Sequence, residues 1–347
     1  TTGFPKGVML SHANLVTSGL GTVATGQLLD DASILLHAAP MFHLADLAAW
    51  VGQVMLGGTH VMVPFFEPTA VLGAIAKHSI TDVLLVPTMI QLLVDHPTLS
   101  EFDTSSLSRV LYGGSPISAG VLERTLARLP RARLTQAYGM TELAPVASLL
   151  WPEHHVGERI GSAGRAAPHS EIQILGPDDE QLATGSVGEI CVRGGHVMLG
   201  YWNKPDETAA AIRDGWMHTG DVGYLDADGF LFVVDRLKDM IITGGENVYS
   251  AEVESALSLH PSVLACAVIG VPDGEWGERV HACVVLAEGT SPTVEELRDH
   301  TRSYVAGYKT PRTIEFVTAL PMSGAGKILK RELRDAHVAK DALGASL

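Results

Sequence analysis

The sequence predicts an α/β protein in two parts: a large domain of parallel-rich βαβ sheet layers with a small β-barrel subdomain, then a small, mobile α+β C-terminal domain. Three observations predict it. Apolar, β-branched runs alternate with helix-length stretches up to about residue 150, the rhythm of parallel strands covered by helices. After about Trp151 the texture changes to short strands and glycine-rich turns. A charged crossing, Asp235-Arg236-Leu237-Lys238-Asp239, then precedes the pair Gly244-Gly245 and a compact alternation of helices and strands. The division falls at 1–235, with 151–235 as the β-rich portion, and 236–347, with a hinge near 235–239.

The opening Thr1-Thr2-Gly3-Phe4-Pro5-Lys6-Gly7 is a small-residue turn, followed by a strand-like Val8-Met9-Leu10 and a helix start at Ser11. Such a loop lets backbone amides converge on phosphate oxygens while the lysine adds a point charge, although an ordinary turn has the same composition. It is not a Walker A loop, where the lysine follows the last glycine and a Ser or Thr follows the lysine. Strand-like runs at 34–37, 59–63, 82–86, 109–112 and 133–135 alternate with helical stretches at 44–56, 68–78, 88–95 and 118–129. Ligands in such sheets collect beyond the carboxyl ends of the strands. The unusual loops lie there: Pro40-Met41-Phe42-His43, Gly113-Gly114-Ser115-Pro116 and Tyr138-Gly139-Met140-Thr141-Glu142.

Short strands follow at 170–175 and 188–193, with a hairpin over 222–234. Its turn, Asp226-Ala227-Asp228-Gly229, resembles a calcium loop only in its aspartates; flanking apolar strands and no distal glutamate make it a hairpin turn. Beyond the crossing come a helix at 250–259, strands at 263–271 and 280–287, a helix at 294–305, a strand at 313–317 and a helix from 328 onward. Between the last strand and last helix, Pro321-Met322-Ser323-Gly324-Ala325-Gly326-Lys327 sets a lysine on a glycine-flanked turn, a group able to reach.

With 347 residues, 46% apolar and 18% charged, the chain can bury a large core. Its best apolar stretch, 44–58, is interrupted by Asp46 and Gln53 and falls short of the roughly 18 residues of a spanning helix, so no integral membrane association is expected. No secretory signal precedes the first motif, and the expected setting is cytoplasmic. Cys191, Cys266 and Cys283 lack metal or redox spacing and read as buried thiols. A net charge of -15 opposes binding to nucleic acid or an anionic membrane surface. Residues 1–235 carry 12 basic and 24 acidic side chains against 12 and 15 in 236–347, so a small anion can still be met by local lysines after the crossing. A homodimer is compatible with the sequence.

In order along the chain, TTGFPKG (1–7), PMFH (40–43), YGGSP (112–116), YGMTE (138–142), GEICVRG (188–194), GYWNKPDET (200–208), HTGD (218–221), DRLKDMI (235–241), GGENVY (244–249) and GAGKILKREL (324–333) match a known motif series. It is that of the adenylate-forming superfamily, and the chain resembles its acyl-CoA synthetases, the fatty-acid and aryl-acid CoA ligases. The resemblance runs from residue 1 to about 335.

The resemblance implies two steps. A small-molecule carboxylic acid attacks the α-phosphorus of ATP, giving acyl-adenylate and pyrophosphate, and the thiol of coenzyme A then displaces AMP. It implies that Thr1, Thr2, Gly3 and Lys6 belong to the loop over the β and γ phosphates. Tyr138 would pack on adenine, with Gly139 beside it and Gly114 and Ser115 along the base. Thr141 would touch the α-phosphate and Glu142 hold Mg²⁺, a cation that takes hard oxygen ligands. Asp221 would accept both ribose hydroxyls and Arg236 donate to the same sugar; a local Asp221 to Arg236 salt bridge satisfies the same pattern. His43 would border the acyl carboxylate, where a packed histidine is the alternative. Lys327 would bridge carboxylate and α-phosphate, Gly244 and Gly245 would admit the pantetheine arm, and Lys238 would be the hinge between the two steps. Lys330 and Arg331 read as solvated charges on the last helix, with CoA phosphate as their alternative.

The family's phosphate loop reads TSGTTGxPKG, and this chain opens at its fourth residue, so the opening portion of the large domain is expected to be missing. Two alternatives stay open. The acyl group passes to a carrier-protein thiol or is oxidised, as luciferases do, or the chain is an inactive nucleotide-binding fragment.

Overall fold

The structure, a computed structural model, describes residues 6–115, 117–322 and 328–344. The chain forms two compact units, one of Thr1–Thr219 with Gly223–Val233, the other of Gly220–Val222 with Val234–Leu347.

In the first unit β1 (Val8–Met9) leads into α1 (His12–Val23). The helix starts where Ser11 and Asn14 exchange bonds: Asn14 N–H donates to Ser11 Oγ and Ser11 N–H to Asn14 Oδ1, satisfying donors that have no partner within the helix. There follow β2 (Ile34–His37), α2 (Leu44–Leu56), β3 (Thr59–Met62), α3 (Pro68–His78), β4 (Asp82–Leu85), α4 (Pro87–Val94), β5 (Arg109–Gly113), α5 (Ala119–Arg128), β6 (Arg133–Tyr138), β7 (Ser148–Leu150) and β8 (Arg165–Ala166). Proline opens α3 and α4, where its missing N–H costs nothing, and Gly57 ends α2 in the left-handed conformation. One seven-stranded sheet results, in the order β3-β2-β4-β5-β6-β7-β8. Pairing is parallel from β3 to β6 and antiparallel at β7 and β8. Leu36, Leu72, Ile75, Leu85, Leu93, Leu122 and Leu134 are fully buried or nearly so in its core.

The β-rich portion contains β9 (Glu171–Leu175), β10 (Gly188–Arg193), β11 (Gly200–Tyr201), α6 (Pro205–Ala211), β12 (Ile212–Arg213), β13 (Trp216–Leu225) and β14 (Leu231–Arg236). Where the sequence predicts a small barrel, the described strands form a five-stranded sheet, β9-β10-β13-β12, with β14 also on β13. In the β13 to β14 turn Asp226 Oδ1 accepts from the N–H groups of Asp228 and Phe230, so that aspartate serves the hairpin.

The second unit adds β15 (Ile241–Thr243), β16 (Glu246–Val248), α7 (Ser250–Ser258), β17 (Val263–Asp273), β18 (Gly277–Leu286), α8 (Val294–Arg302), β19 (Thr313–Phe316) and α9 (Lys330–Gly344). Its sheet runs β16-β15-β18-β17, with β19 parallel to β18. Ile241, Val253, Leu257, Val268, Val284 and Leu297 form its core.

Among the described residues no helix is long and apolar enough to cross a membrane. Cys191 and Cys283 are buried and Cys266 half-buried, all unpaired. Burial pushes the Cys191 and Cys266 thiols up to about 12 and Cys283 up to about 11, which leaves them inert at neutral pH.

The amino ends of β4 and β5 are joined by a buried charge. Arg109 meets Asp82 through Nε at 2.5 Å and Nη2 at 3.1 Å, and its other donors reach Asp30 at 2.8 Å and Ser33 Oγ at 2.9 Å. The Asp82 side chain is 4% exposed, so removing the guanidinium strands a carboxylate out of water. Arg109→Met is expected to cost about 3–5 kcal/mol. In urea unfolding, the double variant Arg109→Met/Asp82→Asn should recover part of that loss.

Candidate nucleotide site

Three motifs far apart in sequence meet in the first unit. β1 pairs antiparallel with β11, setting Val8 opposite Tyr201 and Met9 opposite Gly200. Trp202 N–H extends the pairing to the Gly7 carbonyl at 2.7 Å, and Leu199 N–H to Met9 at 2.9 Å. Met198 N–H donates to the Glu142 carbonyl at 2.9 Å, which brings in the loop after β6. Asn14 Nδ2 donates to the carbonyls of Gly195 and Val197, both at 2.8 Å, tying the start of α1 to the same strand connection.

Tyr201 stands at the centre of this joint, 5% exposed. Its hydroxyl donates to Glu142 Oε1 at 2.8 Å, and the Lys6 ammonium lies 4.3 Å from the centroid of its ring. Burial, and then the hydrogen bond to Glu142, hold the phenol well above its ordinary pKa, so it stays a donor. The remainder of GYWNKPDET is local scaffolding. Pro205 opens α6, and Thr208 Oγ1 accepts from Tyr201 N–H and donates to the Lys204 carbonyl, both at 2.8 Å. A Cβ on Gly200 would lie 2.7 Å from the Thr208 methyl.

The loops after β5 and β6 run side by side because Gly113 opposes Ala137 in parallel register. A Cβ on Gly113 would come within 2.2 Å of the Ala137 carbonyl oxygen, and one on Gly139 within 1.9 Å of that of Pro145. Gly114, Ser115 and Thr141 are exposed there; Tyr138 and Glu142 are half-buried. His43 is half-buried on the loop after β2 and is the N-cap of α2, its backbone N–H donating to the Pro40 carbonyl at 2.9 Å. Thr1, Thr2, Gly3 and Lys327 lie outside the described residues.

In the second unit Arg236 Nε stands 3.1 Å from Asp221 Oδ1, so the local salt bridge that the sequence left open is made. Leu237 N–H donates to the Gly220 carbonyl at 2.8 Å alongside it. Lys238 is exposed on the turn that follows. Gly244 and Gly245 are the central residues of the β15 to β16 hairpin, with φ of +61° and +84°. Two left-handed residues are what a tight hairpin of this hand demands, so the turn alone accounts for both glycines. A Cβ on Gly244 would meet the Trp276 ring at 2.6 Å, whereas one on Gly245 would meet nothing within 4 Å.

The reading of Lys330 as a solvated charge is corrected. Its ammonium lies 2.7 Å from Glu254 Oε1 and 2.6 Å from Ser250 Oγ, and the side chain is 15% exposed. Ser250 Oγ in turn donates to Asp235 Oδ2 at 2.8 Å, while Val268 N–H donates to Glu254 Oε1 at 2.7 Å. The sequence does not show this, because Glu254 lies far from Lys330 along the chain. Arg331 is exposed and faces Asp335, as a solvated charge does.

Among the described residues, three sets of side chains could bear on a cation. Glu189, Cys191 and His218 cluster together, but the Arg213 guanidinium already sits 2.8 Å from His218 Nδ1. His281, Glu315 and His337 cluster beside Arg279 and Lys340, again with positive charge supplied. Glu142 differs: one carboxylate oxygen is held by a neutral phenol, and the preceding residue, Thr141, is exposed. A carboxylate oxygen left open in this way is the hard ligand that Mg²⁺ takes.

A parallel sheet whose carboxyl-end loop after β6 meets Lys6 through Tyr201, in a chain that also carries a smaller α+β unit, defines a nucleotide-binding enzyme of the adenylate-forming type. The chain belongs to the AMP-binding enzyme family: that family's profile matches residues 1–202, and the profile of the AMP-binding enzyme C-terminal domain matches 252–327. It is 46% identical over 335 residues to a feruloyl-CoA synthase of Amycolatopsis sp, covering 96% of this chain and 67% of the relative. It is 39% identical to the fatty acid–[acyl-carrier-protein] ligase ScoC of Streptomyces coeruleorubidus, covering 96% and 65%. Among solved structures, the o-succinylbenzoate coenzyme A synthetase MenE of Bacillus subtilis, in complex with ATP and magnesium ion, superposes with a TM-score of 0.87 at 35% identity, over 96% of this chain and 67% of that one. The chain thus spans about two thirds of the length of these proteins.

Glu254 also carries a pH signature. Burial, more than Lys330 can offset, raises its carboxyl pKa above the ordinary value. A raised carboxylate opposes folding as pH climbs through the folded pKa and ceases to do so once protonated. Lys330→Met is therefore expected to cost on the order of 2 kcal/mol at pH 7.5, the carboxylate keeping some solvent. The deficit should shrink toward pH 5, read from urea midpoints at the two pH values.

Proposed function

We propose that the whole protein is an ATP-dependent acyl-CoA ligase for a fatty or aryl carboxylic acid. The observation that carries this is the meeting of Lys6, Glu142 and Tyr201, which sets a cation and a metal-competent carboxylate at the end of the sheet where nucleotides bind. The acid's carboxylate oxygen attacks the α-phosphorus, the bond to the β-phosphate oxygen breaks, and pyrophosphate leaves with the electron pair. The CoA sulfur then attacks the acyl carbonyl and AMP departs.

Both reactants of the first step are anions, so the site must neutralise charge and hold the attack in line. In this reading Lys6, with Thr1, Thr2 and Gly3, covers the outer phosphates, and Thr141 meets the α-phosphate. Tyr138, Gly139, Gly114 and Ser115 line the adenine. Glu142 would hold Mg²⁺, which when bound neutralises triphosphate charge. Asp221 and Arg236 would serve the ribose, for which their mutual ion pair must open or share its oxygens. His43 would border the acid. Lys327 would arrive for adenylation, and turning about Lys238 would exchange it for the Gly244-Gly245 turn when CoA enters. The feruloyl-CoA synthase relative favours an aryl acid among the candidates, and ATP with CoA fits a cytoplasmic setting. A second reading, transfer to a carrier-protein thiol, is favoured by the likeness to ScoC.

Two outcomes test this. Aryl and fatty acids of graded length should elicit pyrophosphate release from the full-length protein, with thioester formed on free CoA and not on a phosphopantetheinyl carrier. Lys327→Ala should reduce ATP-pyrophosphate exchange by roughly 10²–10³-fold, the scale of losing one charge-stabilising donor. It should spare thioester formation from supplied acyl-adenylate; equal loss of both steps would sink the role given to Lys327.

A further inference from the structure

We propose that Tyr201 is a positioning residue that keeps the loop lysine and the metal-binding carboxylate apart, holding Glu142 by its hydroxyl and Lys6 by the face of its ring. The proposal rests on the reading that Glu142 holds Mg²⁺ and Lys6 meets phosphate.

Lys6 and Glu142 carry opposite charges in one small region. Left to themselves they would be drawn into an ion pair, which would occupy both groups that the triphosphate and its cation need. Among the described residues they form no ion pair within 4.0 Å; each instead contacts a different part of Tyr201. The phenol carries one proton and spends it on Glu142 Oε1 at 2.8 Å, so it pins the carboxylate through a single oxygen and leaves the other for a cation. The negative face of the ring attracts the ammonium at 4.3 Å without neutralising it, and a bound phosphate can outcompete that contact.

Tyr201 is suited to this by how it is held. It is almost fully buried, and its backbone faces Val8 across the β1 to β11 pair, two residues beyond Lys6. Its N–H is fixed by Thr208 Oγ1 at 2.8 Å. The ring is therefore built into the same strand pair that carries the lysine, and its reach to Glu142 is set by the fold. Neither the position of Tyr201 within GYWNKPDET nor its residue type announces the contact, because Glu142 is 59 positions away.

Tyr201→Phe keeps the ring and removes the hydroxyl; Tyr201→Leu removes both. With Mn²⁺ as the probe in the presence of α,β-methylene-ATP, calorimetry on full-length Tyr201→Phe should show metal affinity weakened roughly 3- to 10-fold, the scale of one lost hydrogen bond. In ATP-pyrophosphate exchange its kcat at saturating metal should fall less than its metal affinity. Tyr201→Leu should add a rise in the KM for ATP that Tyr201→Phe lacks. Glu142→Gln is the control. If it weakens Mn²⁺ binding while Tyr201→Phe leaves it unchanged, the metal reading stands and the positioning role falls. If Glu142→Gln itself leaves Mn²⁺ binding unchanged, the metal reading falls and takes the role with it. A Tyr201→Phe protein that loses kcat with unaltered metal affinity likewise overturns the proposal.

Discussion

The pairing of β1 with β11 is the constraint on which the candidate site depends. Two residues of strand cannot hold together segments so distant in the chain, since closing so long a loop costs entropy that a pair of backbone hydrogen bonds does not offset. The pairing persists because its neighbours are fastened as well. Asn14 bonds two carbonyls of the connection leading into β11, and Ile190, Met198, Met217 and Tyr201 bury their side chains in one cluster. Register matters as much as proximity. A slip of one residue would turn Tyr201 to the opposite side of the strand and separate it from both Lys6 and Glu142.

The second unit solves a different problem, that of seating polar groups away from water. Asp235 accepts from the backbone N–H groups of Arg236 and Ser250 and from the Ser250 hydroxyl; Ser250 and Glu254 then share Lys330. This chain of bonds ties the end of β14 to the start of α7 and the start of α9. The backbone is thereby fixed through Arg236, and exposed Lys238 comes just after the fixed point.

Much of the fold was legible because local chemistry and tertiary need agree. The runs at 34–37, 44–56, 68–78 and 188–193 coincide with strands and helices, since period, capping residues and glycine stops all point the same way there. Ser11 announced α1 for the same reason. What escaped was short or marginal: α6 spans seven residues without a wide apolar stripe, and β15 and β16 have three residues each, so their existence depends on the Gly244-Gly245 turn and on β18. After Trp151 the strands and the β13 to β14 hairpin were legible, but the order of the strands in the sheet was not. Strand partners are chosen by side chains distant in sequence, which a local pattern does not record.

The sequence by itself determined the motif residues and their order, and with them the family. Tertiary structure alone decided which of those residues face one another. It joined Lys6 and Glu142 through Tyr201, paired Asp221 with Arg236, assigned Gly244 and Gly245 to a hairpin turn and withdrew Lys330 from solvent. The reason is physical: a side chain's charge and shape are properties of one residue, whereas desolvation and partnership belong to pairs brought together only when the chain has folded.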